Sequence, residues 1–122
     1  MESRALSLNL YPRLVTRLSY PMLFRKNNRS DAEKLHYRII VTGRVQGVGF
    51  RWGAANEAIH LGLKGYVKNM SDGSVYIEAE GDREKLDEFI EWCRTGPRYG
   101  YVESVDFGTL PPVHFKEFRI EH

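Results

Sequence analysis

The run Gly43-Arg44-Val45-Gln46-Gly47-Val48-Gly49-Phe50-Arg51 constrains this chain more than any other stretch. An extended pattern precedes it at residues 35–42, and a helical one begins near Phe50. A glycine-rich turn between a strand and a helix start is a natural anion site. The first helical turn has N–H groups without partners, and the macrodipole adds partial positive charge there. Gly47 and Gly49 have no Cβ, so the backbone between them can take left-handed angles and turn N–H groups inward. The candidate phosphate cradle is thus the backbone of Val45, Gln46, Gly47, Val48, Gly49 and Phe50. Arg51 adds a planar fork of donors matched to phosphate oxygens. A connection that merely turns the chain fits the local sequence equally well.

Two better-known phosphate loops are excluded. No Gly-x-x-x-x-Gly-Lys-Ser/Thr is present, so a nucleotide P-loop is absent. The third glycine of a dinucleotide fingerprint would fall on Trp52, so a Rossmann reading fails.

Periodicity places the remaining elements. Leu35, Tyr37, Ile39 and Val41 alternate on one strand face. Phe50, Ala54, Ala58 and Leu61 form a helical stripe, with Gly62 at its end. Two short strands, residues 64–70 and 74–80, flank Ser71-Asp72-Gly73, a hairpin signal. Asp82 fits an N-cap, and Leu86, Phe89, Ile90 and Cys93 stripe a second helix that Gly96-Pro97 stops. Cys93 therefore reads as a core residue rather than a nucleophile. Strands follow at 102–107, with Val105 and Phe107 on its apolar face, and at 115–120. The order βαββαβ predicts an α+β, ferredoxin-like split-βαβ sandwich. The expected sheet is antiparallel, of four to five strands, with two helices on one face.

The string Val41-x-Gly43-x-Val45-Gln46-Gly47-Val48-x-Phe50-Arg51 resembles the first signature of the acylphosphatase family. The second appears as Gly65-Tyr66-Val67-Lys68-Asn69, then Gly73-x-Val75 and Gly81. Both are complete and in order, and the resemblance covers the chain from about Leu35 onward. The resemblance implies the same sandwich fold, hydrolysis of acyl phosphates to carboxylate and inorganic phosphate, and no metal or organic cofactor. It also assigns Asn69, beside Arg51, as the catalytic amide that orients water. Taken alone, an Asn before Ser-Asp-Gly reads as a turn former.

The residues agree with such chemistry in one respect. No Ser, Cys or Asp stands like a nucleophile beside a base, and His36, His60, His114 and His122 share no motif. An acyl phosphate expels a carboxylate whose acid has a pKa of about 4, so no general acid is needed. Positioning and charge stabilisation then suffice for direct attack by water.

Charge is uneven along the chain. Residues 1–30 carry six basic side chains against Glu2, and the remainder carries twelve against fifteen acids, for the net +2. Residues 1–33 read as a basic, disordered tail before a domain at 34–122. A transit peptide is the alternative, although Pro12 and Pro21 break its amphipathic pattern. Translation from Met22 is another reading. The domain itself is mildly acidic, which argues against nucleic acid as a partner. No run is long enough to span a membrane, and a lone cysteine forms no internal disulfide. The expectation is a cytoplasmic monomer, or a mitochondrial one if the tail is a transit peptide.

Two rivals have discriminating features. An RNA-binding module of the same topology would stack bases on strand aromatics such as Tyr37, Tyr66 and Tyr76, but the RNP1 pattern is absent. A carbamoyl-phosphate-binding module of a larger maturation protein would be followed by further domains, whereas this sequence stops at His122.

Overall fold

The computed structural model describes residues 33–122, and Glu33–His122 form one compact unit. The tail expected at 1–33 lies outside the described residues except for its last position. The elements are β1 (Lys34–Arg44), α1 (Phe50–His60), β2 (Lys64–Asn69), β3 (Val75–Asp82), α2 (Arg83–Thr95), β4 (Tyr101–Leu110) and β5 (Phe118–Glu121). They build a five-stranded sheet in the order β4-β1-β3-β2-β5, the expected ferredoxin-like α+β sandwich.

Alternation fixes the register. Tyr37, Ile39 and Val41 of β1 lie opposite Ala79, Ile77 and Val75 of β3, and Val67 of β2 lies opposite Ile77. A slip of one residue would turn every one of these to water. All are buried, and they pack with Phe50, Ala54, Ala55 and Ala58 of α1 and Leu86, Phe89, Ile90 and Cys93 of α2. Both helical stripes thus bury as the sequence implies. Burial also pushes the Cys93 thiol far up, which keeps it protonated.

α1 ends in two backbone bonds, Gly62 N–H to Ile59 O at 3.0 Å and Leu63 N–H to Ala58 O at 2.8 Å, the Schellman pattern. Gly65, the second residue of β2, has φ 146°, and a Cβ there would collide with the carbonyl of Glu78 on the neighbouring strand. Only glycine allows this approach.

Four details differ from the sequence expectation. β5 pairs parallel with β2, so the sheet is mixed rather than wholly antiparallel. β5 begins at Phe118 rather than Phe115, because the Phe115 N–H is bound by Glu80 Oε1 at 2.8 Å. β4 runs longer than expected, since it pairs with β1 along nearly the whole of that strand, across a bulge at Thr42/Gly43. Asp82 is the N-cap of α2 by position, but its side chain makes no capping bond and instead accepts from Lys34 Nζ at 2.8 Å.

The sheet face away from the helices carries a polar network. The Tyr66 and Tyr76 hydroxyls donate to Glu78 Oε2 at 3.0 and 2.7 Å. His36, only 2% exposed, donates from Nδ1 to the Pro111 carbonyl at 2.6 Å, and its Nε2 meets Glu78 Oε1 at 2.8 Å. Glu80 accepts from the backbone N–H groups of Val113, His114 and Phe115. Tyr37 is not part of this face, since it is buried in the core with its hydroxyl on Asp87. The three tyrosines therefore form no common stacking platform.

Glu80 gives a pH test. Burial raises its pKa, but the three backbone donors outweigh that and hold it below the usual carboxylate range. The folded value lies below the unfolded one, so the stabilisation is present at neutral pH and disappears as pH falls below about 4. Glu80→Gln should cost roughly 1–3 kcal/mol at neutral pH. Thermal melts across the acid range should show the gap from wild type closing as pH drops. A gap independent of pH would mean that Glu80 acts by packing alone.

Candidate active site

The cradle segment folds as glycine dictates. Gly47 and Gly49 have φ of 77° and 84°, and Gly49 is the left-handed N-cap of α1. Added Cβ atoms would meet nothing within 4 Å, so backbone angle rather than space requires glycine there. No acidic residue occupies the first turn of α1. The only charge there is Arg51, placed where the dipole disfavours a cation.

Gln46 is tied down by its side chain. Its Nε2 donates to the carbonyls of Met70 and Ser74, both at 2.8 Å, and so fastens the loop to the β2–β3 hairpin. The hairpin turn is closed by others: Asp72 Oδ1 accepts from the Ser74 N–H at 2.9 Å and its hydroxyl at 2.6 Å. These bonds keep the Asp72 carboxyl below its ordinary value. Asn69 therefore has no part in those turn contacts.

Arg51 is half-buried and donates from Nη1 to the backbone carbonyl of Glu121 at 3.0 Å. A bond from β5 to α1 thereby holds the guanidinium, leaving its other N–H groups for a ligand. Asn69, at the end of β2, lies opposite Val75 on the helix-facing side of the sheet. Its Oδ1 is buried and has no hydrogen-bond partner. Buried acceptors are rarely left so, because the desolvation cost is not repaid.

One pocket of about 280 Å³ gathers these features. Val45, Gly47, Gly49, Phe50, Arg51 and Asn69 line it, together with Trp52, Ile120 and His122. Of the residues expected at the site, Gln46 and Val48 are not among its walls. Gln46 serves as a strut, and the half-buried Val48 packs against the core. Trp52 and His122 escaped the sequence reading. A large aromatic next to Arg51 and off the helical stripe was the available signal for Trp52. His122 arrives through the pairing of β5 with β2, which leaves no local trace. Among the described residues, no group of three or more His, Cys, Asp or Glu side chains could hold a metal ion.

These elements define a small ferredoxin-like α+β domain with a glycine loop, an arginine and a buried amide converging on one pocket. The acylphosphatase family model matches residues 37–120. An acylphosphatase of Vibrio parahaemolyticus is 49% identical over 82 residues, which is 67% of this chain and 88% of the relative. The crystal structure of acylphosphatase from Bacillus subtilis has a TM-score of 0.70 at 40% identity, over 72% of this chain and 99% of that one. The crystal structure of HypF from T. kodakarensis has a TM-score of 0.65 at 33% identity, over 74% of this chain but 12% of that one. The chain belongs to the acylphosphatase family.

Proposed function

We propose that the protein hydrolyses acyl phosphates to carboxylate and inorganic phosphate by direct attack of water on phosphorus. The observation that carries this reading is the buried, unpartnered Asn69 Oδ1 in the same pocket as Arg51. An acceptor with no protein partner, beside a cationic anion cradle, is what a water nucleophile needs as a guide. In this reading the backbone of residues 45–50 and the free N–H groups of Arg51 hold the phosphoryl oxygens. Water hydrogen-bonds to Asn69 and forms the new P–O bond as the bond to the acyl oxygen breaks. The carboxylate leaves as an anion, and the water protons stay with the phosphate. No general acid is required, because the leaving group is already a weak base.

The test is a panel of acetyl, benzoyl and carbamoyl phosphate, assayed with chelator present and in heavy-oxygen water. Turnover of the panel with the label in inorganic phosphate is the expected result. Label in the carboxylate would mean attack at carbon and would sink the mechanism. Turnover confined to carbamoyl phosphate would favour the maturation-module reading.

The reading extends to the rest of the chain as a cytoplasmic monomer without nucleic-acid or membrane partners. Among the described residues no helix is long and apolar enough to cross a membrane. Residues 1–30 are proposed to be dispensable. A chain beginning near Asp31 should keep its Tm and specific activity, and removing residues 1–30 should move the net charge from +2 to about −3. A Tm several degrees lower would show that the tail packs on the domain. Delivery of a reporter to mitochondria by residues 1–33 would establish the transit reading instead.

A further inference from the structure

The pocket lining combines two kinds of chemistry. Gly47, Gly49 and Arg51 offer N–H groups and charge, whereas Trp52, Ile120 and His122 offer an indole, an aliphatic side chain and an imidazole. Trp52 is 69% exposed. The other tryptophan, Trp92, is packed, with ring centroids 5.3 Å from Phe50 and 6.4 Å from Phe89. A single exposed apolar side chain needs no explanation in general. Trp52 differs because it directly follows Arg51 and forms a wall of the pocket.

We propose that Trp52, together with Ile120 and His122 of the same lining, is the shelf on which the acyl group rests. The pocket would then favour acyl phosphates with an aromatic or bulky apolar acyl group over acetyl phosphate. This inference rests on the acyl-phosphate reading of the site. The substrate's dianionic head is joined to its acyl carbon through one bridging oxygen, so the acyl group must sit within a few bonds of the cradle. Trp52 lines the same pocket as Arg51 and is a broad exposed apolar surface there for it to rest on. An acetyl group is too small to cover an indole, while a planar ring stacks on it and removes apolar surface from water. In this reading the glycine loop and Arg51 contact only the phosphoryl group, so discrimination between acyl phosphates falls to the apolar lining.

The test compares kcat and KM for benzoyl and acetyl phosphate in wild type, Trp52→Ala and Trp52→Phe. Trp52→Ala should lower kcat/KM for benzoyl phosphate roughly fivefold to tenfold more than for acetyl phosphate, chiefly through KM. Trp52→Phe should restore most of the difference. Independently of turnover, phenylphosphonate should perturb tryptophan emission of the wild type more than inorganic phosphate does, and Trp52→Phe should abolish that excess. Equal losses for the two substrates in Trp52→Ala would overturn the shelf while leaving the hydrolase reading intact. A wild-type protein that cleaves neither substrate would remove both.

Discussion

Arg51→Lys should lose activity on the order of a hundredfold or more, although it conserves charge. Arg51 Nη1 is already committed to the Glu121 carbonyl. The guanidinium can make that bond and still present further N–H groups in a fixed plane. An ammonium is a point with three donors, so a bond to Glu121 leaves no planar pair to match two phosphoryl oxygens. Both binding and turnover should suffer, since the transition state spreads charge over those same oxygens. Arg51 also sits at a helix start whose dipole repels it, and a bound dianion would offset that cost. Inorganic phosphate should therefore raise the Tm of wild type by ligand linkage, and by much less in Arg51→Lys. A well-folded variant with near wild-type kcat/KM and an undiminished phosphate shift would remove Arg51 from the site.

How much of this could be read beforehand depends on whether the cause was local. The left-handed angles at Gly47 and Gly49 were legible because few other residues adopt them readily. The α2 stripe was legible because Leu86, Phe89, Ile90 and Cys93 repeat at helical spacing over a full two turns. What local sequence hides is the choice among distant partners. Asp82 stands where a cap belongs, yet Lys34 of the adjoining strand claims its carboxylate. Gln46 was read for its backbone, while its amide binds two carbonyls of a hairpin more than twenty residues away. His36 sits on the polar side of an alternating strand and would be expected in water. It is buried because Phe115, Glu78 and Pro111 close over it. The parallel pairing of β5 has the same origin. Four residues carry no orientation signal, and the partner is set by where β4 releases the chain. The site inherits this limit: the loop, Arg51 and Asn69 stand in the sequence, whereas the bond orienting Arg51 and the His122 wall both come through β5.

Asn69→Ala should lower kcat on the order of a hundredfold or more while the inhibition constant for inorganic phosphate moves little. The cradle and Arg51 would still hold the phosphoryl group, but the water would lose the acceptor that aligns it. Stability should change little as well. Asn69 Oδ1 has no protein partner to lose, and removing an unpaired buried acceptor relieves a desolvation cost instead of adding one. Asn69→Asp is sharper because the size is kept and water can still be accepted. The added charge faces an incoming dianion, so phosphate inhibition should weaken on the order of tenfold or more. It should recover as pH falls and the new carboxyl protonates, a dependence that a mere packing defect would not produce. If Asn69→Ala instead turned over acyl phosphates at the normal rate and only melted lower, Asn69 would be structural. Water would then have to be aligned by another group, and His122 is the one remaining side chain on the pocket wall able to accept its proton. Loss of the remaining kcat in Asn69→Ala on adding His122→Ala would identify that route.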